Sequence, residues 1–295
     1  MRGAERGFLL LTSHLGDPRR EVLTAPQLRT LAKRVRDCVF SDEDRPLRPS
    51  DLTALGYSRE MARRIVSLLE EESVLDYYLN RGKKENCVPI SRVSGGYPLL
   101  LRQRLGLDSP GCLWAKGELS ILNTPMISLV GSRELNTPNR EFAQAVGYHA
   151  AEQGLTLVSG NARGADRTAQ EACLRAGGRV VSIVADELTR HTVKKNVLYL
   201  SEDGFDEPFS AQRALSRNRC IHALGRMVFV AQAQLQKGGT WDGTAKNLRF
   251  GWSSVACFRD GSQASRQLEQ MGAYLIGLED LKDFGSPMEP ETALF

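Results

Sequence analysis

Three short stretches combine glycine, hydroxyl and basic side chains in the way a phosphate group needs. Gly131-Ser132-Arg133 follows the apolar run Met126–Val130. Ser159-Gly160-Asn161-Ala162-Arg163-Gly164-Ala165-Asp166 follows Leu155–Val158. Gln232–Gln236 and then Lys237-Gly238-Gly239-Thr240-Trp241-Asp242-Gly243-Thr244 follow Met227–Ala231. A glycine-bearing turn between a strand and a helix leaves backbone N–H groups unpaired where the helix dipole is positive, and that place attracts an anion. Glycine also lets a phosphate approach the backbone without meeting a Cβ. A fourth feature is charge. No acid lies between Glu207 and Asp242, while Arg213, Arg217, Arg219, Arg226 and Lys237 fall in that span. Arg213 and Arg217 share a helix face at a spacing of four, and guanidinium groups suit bidentate phosphate contacts. The pattern points to a polyanion.

Each feature also has a purely structural reading. A glycine turn can be only a turn, and arginines can pair with Asp203 or Glu207. Asp166 would repel a phosphate, so its expected roles are capping the helix, ordering the loop or accepting a sugar hydroxyl. Ser132 and Ser159 have no evident base beside them, which argues against nucleophilic catalysis. His14, His149, His191 and His222 show no metal spacing. Trp114 and Trp252 read as anchors, and Trp241 is the tryptophan to test as a base-stacking platform.

These loops must be held by a sheet. Short apolar runs at Val88–Ile90, Cys112–Ala115, Met126–Val130, Leu155–Val158, Val180–Val184, Met227–Ala231, Val255–Phe258 and Tyr274–Ile276 alternate with helical patterns at about 141–153, 165–176, 212–224, 244–250 and 264–271. Such alternation predicts an α/β fold with a mostly parallel, doubly wound sheet, whose ligands bind beyond the carboxyl ends of the strands. Before it, three- and four-residue apolar spacing within Phe8–Leu15, Ala25–Val35 and Glu60–Leu69 predicts a small helical domain over 1–80. The basic patch Asn80–Asn86 reads as a solvated loop, placing a linker at 81–86, the sheet domain at 87–282 and a frayed tail at 283–295. The 295 residues are 41% hydrophobic and 25% charged with a net charge of +4, as in ordinary globular chains. No membrane-spanning run is present. The scattered cysteines Cys38, Cys87, Cys112, Cys173, Cys220 and Cys257 read as reduced structural thiols of a cytoplasmic protein rather than disulfides or zinc ligands.

Taken together, Gly131-Ser132-Arg133, then Ser159-Gly160-x-Ala162-x-Gly164-x-Asp166, then Arg217-Asn218-Arg219 resemble the DprA/Smf family of DNA-processing proteins, within the wider SLOG superfamily. Tyr97-Pro98-Leu99-Leu100-Leu101 and Cys112–Gly117 resemble that family's approach to its first glycine loop. The resemblance covers roughly residues 87–276. It implies an extended Rossmann-like fold preceded by a SAM-like helical domain, single-stranded DNA as ligand, homodimers, and help in loading a RecA-type recombinase during natural transformation. It implies no cofactor, no metal and no reaction of the chain's own. Its anion-binding positions fall on Gly131, Ser132, Arg133, Ser159, Gly160, Gly164 and Asp166, and Arg163 of the same loop is a further phosphate-binding candidate from the residues themselves. Its basic motif falls on Arg217, Asn218 and Arg219, and Lys195-Asn196 sit where the family has an asparagine after a tight turn; Lys237, Gly238, Gly239 and Thr240 are phosphate-binding candidates from the glycine-loop pattern.

The chain departs from the family at several positions. Ala165 and Gln170 stand where isoleucine and histidine are usual, and Gln232 or Gln234 replaces an acid. The 238–245 loop is one residue longer, the helix expected within 196–201 is nearly absent, and no winged helix is expected after Phe295. These departures indicate a divergent branch. Two other functions fit the loops: a mononucleotide-binding sensor of the same superfamily, and a nucleoside-phosphate N-glycosidase. The second lacks the expected glutamate, offering only Asp242 and Thr244.

Overall fold

The computed structural model describes residues 2–36, 46–202 and 204–284. Cys38, Asp203 and the tail beyond Phe284, with Pro287 and Pro290, lie outside the described residues. The chain opens with helices α1 (Gly3–Thr12), α2 (Ala25–Arg36), α3 (Pro49–Ala54), α4 (Arg59–Glu70) and α5 (Glu72–Lys84). Leu11, Leu31, Leu52, Ala62, Ile65 and Leu68 gather into their shared core, as the apolar spacing predicts. The basic stretch expected to be a loop is instead the last turn of α5. Arg81, Lys83 and Lys84 sit at the helix C-terminus, where cations complement the dipole. Gly82 packs against the Trp114 ring, and Arg81 pairs with Asp206 at 2.9 Å. Tyr78, Trp114 and Phe205 form an aromatic cluster with ring centroids 4.9–5.2 Å apart, which fastens the helices to the sheet.

The sheet contains β1 (Cys87–Ser91), β2 (Cys112–Gly117), β3 (Met126–Val130), β4 (Thr156–Ser159), β5 (Arg179–Ile183), β6 (Val197–Glu202), β7 (Met227–Val230), β8 (Ser254–Phe258) and β9 (Tyr274–Ile276). Between them lie α6 (Leu99–Leu105), α7 (Thr137–Glu152), α8 (Ala165–Arg175), α9 (Ala211–Ser216), α10 (Asn218–Leu224), α11 (Gly238–Phe250) and α12 (Gln263–Gln270). The strand order is β1-β2-β6-β5-β4-β3-β7-β8-β9. Strands β6 through β9 are mutually parallel, and β1 and β2 add an antiparallel edge. Every residue of β3 and β4 is buried, as expected of parallel strands covered on both faces. One core cluster lies on each side of the sheet.

Strand β6 has no counterpart among the expected elements. Its run VLYLSE carries no clean alternation because all six residues are buried, and the crossover before it holds only a single helical turn at Leu188–Arg190. The chain runs outward from β3 through β4 and β5 to β6. It then returns to place β7 beside β3. That reversal is the topological switch point, where an open α/β sheet leaves a crevice for ligands.

Candidate functional site

The three loops expected to carry chemistry meet at this crevice. The Ser132 N–H and hydroxyl both donate to the carbonyl of Gln232, at 3.0 and 3.2 Å. The Ala165 N–H donates to the carbonyl of Ser132 at 3.1 Å. Gly131 packs against Ala165 and Ala231. Gly164 has φ +86° and lies where a Cβ would stand 2.4 Å from the carbonyl oxygens of Ser132 and Arg133. Both the conformation and the close approach require glycine.

Asp166, in the first turn of α8, orders the middle loop. One carboxylate oxygen accepts from the N–H groups of Gly160 and Ala162, each at 3.1 Å. The side chain is buried, and burial pushes its pKa above the usual carboxylate value against the opposing pull of Arg217 and those two donors. The guanidinium of Arg217 lies directly on Gly160. Arg217 is only 8% exposed, and its side chain makes no hydrogen bond among the described residues. Burial pulls its pKa down while the Asp166 charge pushes it up. Arg133 sits close enough to act electrostatically on both groups and is exposed without a side-chain partner among the described residues. A buried cation without hydrogen-bond acceptors, beside a glycine and a second free cation, is a place for an anion.

A family model for DNA recombination-mediator protein A matches residues 89–284, a span that contains all of these loops. The chain belongs to this family. It is 31% identical over 192 residues to the DNA processing protein DprA of Streptococcus pneumoniae, covering 60% of this chain and 68% of that one. Protein Smf of Escherichia coli is 30% identical over 142 residues, covering 44% of this chain and 38% of the relative. DprA of Bacillus subtilis is 28% identical over 165 residues, covering 52% and 54%. The chain therefore spans between about two fifths and two thirds of these relatives. The crystal structure of S. pneumoniae DprA superposes with a TM-score of 0.70 at 23% identity, over 95% of this chain and 98% of that one. The solved structure of Helicobacter pylori DprA gives 0.56 at 21% identity, over 66% and 94%. Both show the same fold.

The structure sorts the remaining candidate residues of this family member. Arg217-Asn218-Arg219 straddles the break between α9 and α10, so the two arginines turn to different surroundings. Arg219 bonds Glu202 at 2.8 Å and the Asp108 carbonyl at 2.8 Å, which makes it a clamp between elements. Arg213 is likewise committed, donating to the carbonyls of Ala185, Glu207, Pro208 and Glu202 and to the Ser201 hydroxyl. Arg226 precedes β7, at the opposite sheet edge, and donates to the Phe284 carbonyl. The expected basic stripe thus reduces to Arg217 and Lys237. Lys195 and Asn196 precede β6, so they too lie at the amino edge of the parallel strands. Asn196, at φ +62°, accepts from the Val180 N–H and donates to Gly177. Arg163 pairs with Glu134 on the surface at 3.3 Å.

Ser159 is buried, and its hydroxyl accepts from Gln170, which also bonds Ser182. This inward network is the place of the departure at Gln170. Residues 238–243, expected as loop, are the first turns of α11, capped by the exposed Lys237. Gly239 and Thr240 therefore sit at a helix N-terminus, and Asn218 holds the Gly239 carbonyl at 3.0 Å. Trp241 is 7% exposed within the core, so it is not a stacking platform. Gln232, whose side chain also accepts from the Asn136 N–H at 3.0 Å, joins two loops and was expected only as a replaced acid.

Proposed function

We propose that this chain binds single-stranded DNA, with backbone phosphates held by Arg217, Arg133 and Lys237 over the turns at Gly131–Ser132 and Gly160–Gly164 and the N-terminus of α11. The observation that carries the reading is the buried Arg217 guanidinium on Gly160, with no hydrogen-bond acceptor among the described residues. A phosphate oxygen supplies that acceptor. Arginine on a backbone phosphate positions a strand without reading its sequence. The H. pylori relative is itself described as binding single-stranded DNA, which supports the same ligand here.

The chain acts by binding rather than by catalysis. The Ser159 and Ser132 hydroxyls are both engaged, by Gln170 and by the Gln232 carbonyl, so neither is set beside a base. The reading extends to a homodimer that hands strands to a RecA-type recombinase in the cytoplasm. None of the described helices is long and apolar enough to cross a membrane.

Fluorescence anisotropy of a labelled oligo-dT across a salt series, with mononucleotides as competitors, tests the reading. Binding that weakens steeply with salt and ignores mononucleotides is expected. Absent oligonucleotide binding, with one mononucleotide raising the melting temperature, would replace DNA by a small nucleotide as the ligand.

A further inference from the structure

A groove of about 700 Å³ runs beside the phosphate loops, between the segment 107–111, the α9–α10 break and the length of α11. It begins where Asn218 holds Gly239, at the N-terminus of α11, and ends at Phe250 and Trp252, where that helix stops. Phe250 is 60% exposed, an unusual exposure for a large apolar ring. It lies nearly parallel to Trp252, with centroids 5.7 Å apart and planes at 16°. Leu215, 51% exposed, forms the facing apolar wall. The rim carries Lys246, and the exposed Arg249 lies loosely over the Phe250 ring at 5.5 Å. The groove also exposes Asp108 and Asp242.

We propose that this groove takes a nucleobase of the same strand whose phosphates occupy the crevice; the proposal rests on the DNA reading above. The exposed Phe250 ring, stacked on Trp252, offers a π-surface on which any base can stack. Charge does not single out phosphate as the ligand of the groove itself, because Asp108 and Asp242 stand there beside Arg219 and Lys246; the rings single out a base. Those carboxylates accept hydrogen bonds from base N–H groups. Lys246 and Arg249 stand at the rim, where they meet the flanking phosphates while the base takes the ring. The groove reaches Asn218 and Gly239, the chain neighbours of Arg217 and of the α11 N-terminus, so it opens next to the phosphate site. A strand can therefore pass from one to the other without leaving the surface. Trp252, rather than the core residue Trp241, is the tryptophan of this site.

The experiment compares a labelled dT oligomer with an abasic-backbone oligomer of equal length. Anisotropy is read at fixed salt for the parent, for Phe250→Ala and for Phe250→Ala with Trp252→Leu. The parent is expected to prefer the dT oligomer, and the variants to lose roughly tenfold in affinity for it. Their affinity for the abasic oligomer and their salt slope should stay unchanged. Trp252→Phe, which keeps a ring, should retain the preference. Intrinsic tryptophan fluorescence should be quenched by the dT oligomer in the parent, and the quenching lost in Trp252→Phe, because Trp114 and Trp241 are buried. Phe250→Ala changes an exposed side chain, so its fold is retained. Equal preference for dT in the parent and Phe250→Ala overturns the base site while leaving the phosphate site standing. Loss of a bound protein partner in the variants with base preference intact assigns the groove to a peptide and also overturns it. A parent that binds neither oligomer overturns the DNA reading and this proposal together.

Discussion

Arg217 rests its guanidinium on the Cα of Gly160, so closely that an ideal Cβ at position 160 would stand 1.3 Å from Nη1. The cation fills the space that a side chain at position 160 would need, and only glycine leaves it free. Gly160→Ala and Gly160→Val should therefore drive Arg217 out of its site. We expect oligo-dT affinity to fall at least roughly tenfold in both, with little loss of stability in Gly160→Ala, because the atoms in the way are the mobile end of the Arg217 side chain. Anisotropy and thermal melting read the two effects separately. Unchanged affinity in Gly160→Val would remove this loop from the site.

Removing the cation itself should also leave the fold in place. Arg217 is buried without hydrogen-bond partners among the described residues, and such a charge is costly to keep from water. Arg217→Met relieves that cost but also removes the cation facing the buried Asp166, so the free protein should stay about as stable as the parent, while the log–log salt slope of DNA binding becomes shallower by about 1. A large fall in melting temperature would show that Arg217 serves the fold rather than the ligand.

Arg219 should behave the other way. Its partner Glu202 has a side chain only 7% exposed, so Arg219→Ala leaves a buried carboxylate without its cation. We expect a loss of about 2–4 kcal/mol in urea unfolding. The salt slope of binding should not change, because Arg219 is committed to Glu202 and Asp108.

The contrast between these two arginines marks how far the sequence could be read. The crevice was legible because the glycine-bearing turns follow three apolar runs that alternate with helices, which places all of them at the carboxyl edge of one parallel sheet. The parallel sheet was legible for the same reason. Charge was not. Arg213, Arg219 and Arg226 look like Arg217 in the sequence, yet their partners are carbonyls and a carboxylate supplied by distant segments. Lys195 and Asn196 failed on topology, since the unforeseen strand β6 places them at the far edge of the sheet. Residues 81–84 failed because a basic helix end and a basic loop have the same composition. Trp241 and Trp252 exchanged roles because α11 starts six residues before the expected helix at Thr244, which turns Trp241 inward.

His222 predicts a specific acid sensitivity. It is fully buried, and burial holds its pKa down at about 3. Asn247, oriented by Ser253, places its amide nitrogen 3.2 Å from Nδ1. Nε2 has no partner among the described residues. In the unfolded chain the same imidazole takes a proton near pH 6.5. Between about pH 6.5 and 3 the unfolded state binds the extra proton, so stability falls as pH falls, by up to about 1.4 kcal/mol per pH unit from this group. His222→Gln should flatten that part of the profile, whatever it does to stability at pH 7. Urea midpoints measured from pH 7 to pH 4 decide the matter, and parallel slopes in parent and variant would discard His222 as the cause.

Asp166 gives the corresponding prediction for binding. Its carboxylate orders the Gly160 loop but also faces the place proposed for a phosphate. Burial already raises its pKa, and a bound phosphate must raise it further. Binding then takes up a proton, so affinity should rise as pH falls toward the carboxylate range. Asp166→Asn keeps an oxygen to accept from Gly160 and Ala162 and removes the charge. We expect it to bind oligo-dT several-fold more tightly at pH 7, with the pH dependence flattened. Asp166→Ala loses the acceptor as well and should bind more weakly than the parent, because two N–H groups that fix the loop are released. If Asp166→Asn binds as weakly as Asp166→Ala, the negative charge itself is needed to hold Arg217 in place. The carboxylate would then be part of the binding site rather than an obstacle beside it.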